Sequence, residues 1–248
     1  MRRLVKELLV AFQFLTRLPI SRIRYDPGSL SGSAKFFPVV GLVIGLGASG
    51  LQHILTSHLN RALVALSVLS FLVLITGGLH EDGLADTVDA FGGGWNREQV
   101  LTILRDSRIG SFGALALILS VLARFLLLSI LPQNRFTAWI VSAHVLCRWT
   151  TLPLSYFLRP ARENDGQGAR IAQKISSASL IAGTLLSLAI VFYLMRIEFW
   201  LPVLVALVIT FLSGLYYFRR LGGITGDCFG ATNQLTEIAV YVCGVWNA

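Results

Sequence analysis

Three aspartates, Asp82, Asp86 and Asp89, stand at i, i+4 and i+7. On a helix these positions share one face, so three carboxylates point together from consecutive turns. Like charges four residues apart destabilise an isolated helix, and something positive must offset them. Hard oxygen donors suit Mg²⁺, with Mn²⁺ as an alternative, better than zinc, for which no thiolate or paired histidine stands nearby. The competing reading is a solvated acidic helix start favoured by the helix dipole. Residues 76–113 also gather Glu81, Glu98 and Asp106, so this stretch holds six of the chain's thirteen acids. That concentration favours a metal site.

The flanking residues supply other parts of a reaction centre. His80 precedes the triplet and reads as a hydrogen-bonding or proton-transfer residue. Gly92, Gly93 and Gly94 form a turn whose amides can approach a phosphate. In RDSRIGSFG, Arg105 and Arg108 bracket Asp106 at a spacing that places two guanidiniums near one face, suited to bidentate phosphate contacts. The bland alternative is a basic patch beside a membrane. A second glycine-rich loop, LGGITGDCFGATNQ, presents Thr225 and Asp227, the acid placed to complete a metal site or orient a substrate hydroxyl. Asn233 and Glu237 continue a polar stripe into the last apolar stretch; a carboxylate there is costly unless paired, so Glu237 is expected to face the site. Acids for metal, with basic and glycine-rich phosphate contacts, point to phosphoryl-group chemistry.

The elements that must hold these residues are membrane helices. The chain of 248 residues is 54% hydrophobic and 14% charged, with mean hydropathy +0.69. Soluble domains carry roughly 25% charged residues, and apolar runs of about 20 residues, the length that crosses a bilayer, recur here. The expected fold is all-α: a polytopic integral membrane helical bundle forming one domain over residues 1–248. It has six to seven transmembrane helices, an N-terminal amphipathic helix over 4–18 lying in the interface, and catalytic loops at about 80–111 and 219–235. Spans are expected at 36–55, 62–79, 112–131, 137–156, 177–195, 199–218 and, shorter, 235–245. In the first, Gly41 and Gly45 form a GxxxG pattern that predicts close helix packing. Cys147, Cys228 and Cys243 are solitary and imply neither a disulfide framework nor a thiolate zinc site. The basic start lacks a small-residue cleavage site, against a cleaved signal peptide.

Sidedness follows from the basic residues. Of the 21 lysines and arginines, sixteen fall on the side of the two polar loops and three (Arg61, Arg135, Arg196) on the other, with Arg124 and Arg148 inside spans. The positive-inside bias therefore predicts that both loops face the cytoplasm. The same bias accounts for the net charge of +8, so nucleic acid is not expected as a partner. Membrane lipid is, and a homo-oligomer is compatible with such a bundle.

The runs GGLHEDGLADTVDAFGGG, RDSRIGSFG and GGITGDCFGA, with FFPVVGLVIG entering the first span, resemble the signature segments of the cobalamin (5′-phosphate) synthase family, the adenosylcobinamide-GDP ribazoletransferases. The resemblance covers essentially the whole chain. It implies a Mg²⁺-dependent enzyme of the prokaryotic cytoplasmic (inner) membrane that joins α-ribazole, or its 5′-phosphate, to adenosylcobinamide-GDP with release of GMP. On that pattern Asp82, Asp86 and Asp89 are metal ligands, Asp89 accepts the ribazole hydroxyl proton, Arg105 and Arg108 hold the diphosphate, Asp106 orients them or adds a ligand, and Asp227 serves metal or substrate. Glu81 departs from it where an apolar residue is expected, and Ala90 where glycine is. Asp82-Gly83, Ala85, Asp86 and Asp89 also resemble part of the CDP-alcohol phosphatidyltransferase motif, whose arginine and distant aspartate pair are not matched. A cation transporter would place carboxylates inside the spans, and a structural subunit would leave their clustering without a cause.

Overall fold

The computed structural model describes residues 2–20, 30–162 and 175–246. The basic residues Arg22, Arg24, Arg170 and Lys174, used above for sidedness, lie outside them. Eleven helices of seven residues or more occur among the described residues: α1 (Arg2–Leu15), α2 (Phe37–Leu55), α3 (Arg61–Thr76), α4 (Leu79–Gly93), α5 (Arg97–Ile103), α6 (Ser111–Ile130), α7 (Phe136–Trp149), α8 (Thr151–Phe157), α9 (Ser177–Met195), α10 (Trp200–Leu221) and α11 (Gly226–Trp246). The only strand-like pairing described is one bridge between Pro160 and Ile224.

Helix α7 forms the axis. From Trp139 to Trp149 every residue of it is buried, and α2, α9, α10 and α11 pack around it. The contact with α2 uses the predicted glycine pair. A Cβ on Gly41 would overlap the His144 carbonyl, and one on Gly45 would lie 2.8 Å from Val141 Cα, so the two backbones touch.

Three stretches are long and apolar enough to cross a membrane, Leu30–Leu55, Ser111–Ile130 and Ser177–Leu221, and the bent pair α3–α4 makes a fourth if counted as one span. The third holds 45 residues, and as one helix it would be about 65 Å long, twice the hydrocarbon core. It is instead two arms. The chain turns at Arg196 (φ 55°), and Gly183 and Gly214 of the two arms lie against Leu152 and Leu154 of α8. Arg135 clamps the turn through a two-bond ion pair with Glu198, at 3.2 and 2.9 Å. Helix α1, with 14 residues, is only about 21 Å long and too short to span; it buries Val10, Ala11 and Leu15 and exposes Leu4 and Val5.

The structure corrects the expectation that residues 80–111 form a loop. After α3 the chain bends by 84° at Gly77 and Gly78, with φ of 67° and 71°. Two successive left-handed residues are affordable only as glycine. Helix α4 then runs back antiparallel to both α6 and α11: Glu81 meets Arg124, the Ala85 carbonyl approaches Gly113, and Asp89 meets Gly110.

Candidate active site

The site is built where α4 crosses α11. A Cβ on Gly83 would sit 2.8 Å from the Asp227 carbonyl and 3.1 Å from Gly230 Cα, and one on Gly230 would sit 3.1 Å from Gly83 Cα. Glycine at both positions lets the backbones touch, and this brings Asp227 to the acidic face of α4. The second expected loop is therefore helical too: from Gly226 onward it is the first turns of α11, with Cys228, Thr232, Asn233 and Gln234 buried.

Along α4 the three aspartates are graded in exposure: Asp82 exposed, Asp86 intermediate, Asp89 buried. The charges of Asp82, Asp227 and Asp89 all bear on Asp86, and that of Asp82 bears on Asp227. Also bearing on Asp227 is the positive charge of Arg162. That residue is held there by backbone: Ala161 N donates to the Ile224 carbonyl and Ile224 N to the Arg159 carbonyl, each at 2.9 Å. Asp82 and Asp227 open onto a cavity of about 150 Å³ that His80, Asn233, Thr151, Phe14, Phe37 and Phe229 help to line. Carboxylates from two helices meet at this crossing as oxygen donors of the type that suits Mg²⁺, but among the described residues no three of their oxygens lie within 4.8 Å of one another, so a bound ion would draw on water or substrate oxygens for much of its shell.

Asp89 is placed differently from the other two. Its Oδ2 accepts the Gly110 amide at 2.7 Å and its Oδ1 the Gly113 amide at 2.8 Å. These are orphan donors at the start of α6, where a carboxylate is also favoured by the helix dipole. Both oxygens are thus committed to tying RDSRIGSFG onto α4. In Asp89→Asn one amide loses its acceptor, which costs about 1–3 kcal/mol. Hydrogen exchange across residues 110–113 is expected to quicken; a silent exchange pattern with abolished turnover would instead restore Asp89 to the chemistry.

In the same segment Arg108 grips Asp106 through Nε (2.9 Å to Oδ1) and Nη2 (2.6 Å to Oδ2), and this bond pushes the Asp106 carboxyl down to about 2. Arg108 is 87% exposed, so the pair presents a guanidinium held by its own counter-ion on the surface. Arg105 is exposed as well. Gly93 belongs to the last turn of α4 rather than to an open turn: Gly94 N closes that helix on the Ala90 carbonyl, and the Gly94 carbonyl accepts from Arg220 at 2.6 Å.

The cobalamin-5-phosphate synthase family profile matches residues 7–245. The chain belongs to that family. An adenosylcobinamide-GDP ribazoletransferase of Leptospira interrogans is 37% identical over 257 residues, covering 96% of this chain and 95% of its own. Proteins of the same name from a Polaromonas species and from Thermoanaerobacter pseudethanolicus are 35% and 31% identical, each covering at least 95% of both chains. No solved structure matches.

Inside the bundle the structure shows a polar network that no spacing rule marks in this cobalamin-synthase chain. Arg124, 1% exposed, pairs with Glu81 at 2.8 Å and Glu237 at 3.6 Å. Gln234 donates to Glu81 at 3.1 Å and accepts from Ser120 at 3.1 Å. Glu81 is therefore half of a buried ion pair. Glu237 faces this network and not the aspartates; ten residues along α11 place it about 15 Å beyond Asp227. Its carboxylate also lies within 4.8 Å of His144 and Cys147, the one described trio of metal-type ligand atoms so close together. Arg148 already occupies that spot, with Nη1 2.9 Å from His144 Nδ1 and 3.3 Å from Cys147 Sγ.

Proposed function

We propose that this chain is the membrane transferase that joins α-ribazole, or its 5′-phosphate, to adenosylcobinamide-GDP with release of GMP, a late step of cobalamin synthesis, at a site formed by Asp82, Asp86 and Asp227. The observation that carries the site is the Gly83–Gly230 crossing, which brings Asp227 to the helix that carries Asp82 and Asp86. Membership of the family and the name shared by relatives of near-identical length supply the substrates.

These carboxylates would hold Mg²⁺, which when bound neutralises charge on the diphosphate. A hydroxyl oxygen of the nucleoside attacks the cobinamide-linked phosphorus, the bond from that phosphorus to the GMP oxygen breaks, and the hydroxyl proton passes to a carboxylate. Asp86 suits that last role better than Asp89, whose oxygens are engaged by amides. Arg105 and Arg108 stand where they can meet the donor's phosphates, with Asp106 fixing the fork of Arg108. We place the site at the cytoplasmic face of the inner membrane. The positive-inside bias supports this, as do Arg97, Arg162 and Arg220, which all bind backbone carbonyls around this end of α4, α5 and α10.

The test is GMP release by membranes given adenosylcobinamide-GDP and α-ribazole. Release that stops with EDTA and returns with Mg²⁺ is the expected result. No GMP with any metal, but CMP from a CDP-alcohol lipid, would replace the substrates and leave the acid cluster in place.

A further inference from the structure

The cavity beside Asp82 and Asp227 carries features that metal binding does not use. Its walls include three rings, Phe14, Phe37 and Phe229. Two polar atoms on its lining, His80 Nε2 and Asn233 Oδ1, have no hydrogen-bond partner among the described residues, although His80 is only 6% exposed and Asn233 only 2%. Asn233 is oriented by its own amide, which donates to the Phe229 carbonyl at 2.9 Å and to Thr150 Oγ1 at 3.4 Å, so the oxygen is the atom left over. Buried polar atoms without partners cost about 1–3 kcal/mol each, which a ligand with matching polar groups recovers. The shape is equally specific. A volume near 150 Å³ is of the order that admits a small flat ring system, and Asp82 and Asp227 belong to the same lining.

Resting on the transferase reading above, we infer that this cavity seats the benzimidazole base of the α-ribazole acceptor. The flat ring lies among Phe14, Phe37 and Phe229. His80, in its Nε2–H form, donates to the one ring nitrogen not bound to the sugar. Asn233 Oδ1 accepts from a sugar hydroxyl, and the attacking hydroxyl is left at the mouth beside Asp82 and Asp227. Phe14 sits near the end of α1, so that helix forms one wall of the base site. It is also tethered there: Arg17 N, just past its end, donates to the Ile75 carbonyl at 2.8 Å.

The experiment uses the full chain in nanodiscs, with His80→Phe, which keeps a ring and loses the nitrogen, and Thr151→Leu, which adds bulk to the lining. The KM for α-ribazole, and its Kd by direct titration, are expected to rise about tenfold, the worth of one hydrogen bond, while the KM for adenosylcobinamide-GDP stays within about twofold. A rise confined to adenosylcobinamide-GDP assigns the cavity to guanine and overturns the inference. Equal rises, or none, overturn it as well. Should either variant fail to insert, the wild type decides: benzimidazole alone must compete with α-ribazole, and failure to compete sinks the base site. Titration needs no turnover. A protein that binds α-ribazole in a His80-dependent way yet releases no GMP would keep the base site and discard the transferase reaction.

Discussion

Asp82→Asn and Asp86→Asn are each expected to abolish turnover, by about a thousandfold or more, while leaving membrane insertion intact. Stabilisation of charge on a transferring phosphoryl group by a correctly held metal is worth several kcal/mol, and about 4 kcal/mol is a thousandfold in rate. Asparagine keeps the size of aspartate and one oxygen but loses the charge. The reason to expect a clean separation of function from folding lies in the cluster itself. Asp82, Asp89 and Asp227 all act on Asp86 as like charges, so removing one carboxylate relieves repulsion in the metal-free protein. The thermal midpoint without Mg²⁺ should hold or rise in both variants. In the wild type Mg²⁺ should raise the midpoint, since a ligand that binds only the folded state stabilises it by mass action; in the variants that increment should vanish. Near-normal turnover in either variant would sink the assignment, and so would a midpoint that falls as turnover does.

Three of the apolar helices were legible in the sequence almost to the residue, whereas the span expected at 137–156 is two helices, Phe136–Trp149 and Thr151–Phe157, and the one at 235–245 is the end of the longer Gly226–Trp246. The spans expected at 36–55, 112–131 and 177–195 are Phe37–Leu55, Ser111–Ile130 and Ser177–Met195. Each is apolar along nearly its whole length, so composition alone carries the signal. The two polar stretches read as loops for the same reason in reverse. Helix α4 and the start of α11 are rich in acids, amides and glycine, and hydropathy marks such sequence as solvated. They are buried because several of their polar groups meet partners far away in sequence: Glu81 on Arg124, Gln234 on Ser120 and Glu81, Asp89 on two amides at the start of α6. The i, i+4, i+7 spacing did reveal the acidic face. It did not reveal that the face divides, with Asp89 capping α6 and Asp227 joining Asp82 and Asp86. The one local clue to that division was glycine: Gly83 and Gly230 sit where α4 and α11 must touch, and the pair Gly77-Gly78 marks the bend that turns α4 back into the bundle.

Arg124→Met is expected to cost about 3–5 kcal/mol, because it leaves two carboxylates, Glu81 and Glu237, buried without their cation. Within a membrane bundle such groups are expensive and seldom kept without a role. Two readings of that role can be separated. If the network only holds α4, α6 and α11 together, the triple variant Glu81→Gln, Arg124→Met, Glu237→Gln should recover both thermal midpoint and turnover, since removing all the charges together avoids the unpaired state. The geometry predicts a split result instead. Glu81 is the residue immediately before Asp82, and its grip on Arg124 fixes the rotation of α4 about its axis, hence the direction in which Asp82 and Asp86 point. Uncharged side chains fill the same space but do not impose that rotation. The triple variant should therefore regain its midpoint and lose turnover, with a weakened stabilising effect of Mg²⁺ as the sign that the aspartates have turned. Full recovery of turnover would mean that packing against Gly230 alone sets the helix, and that the buried ion pair holds the bundle together without shaping the site.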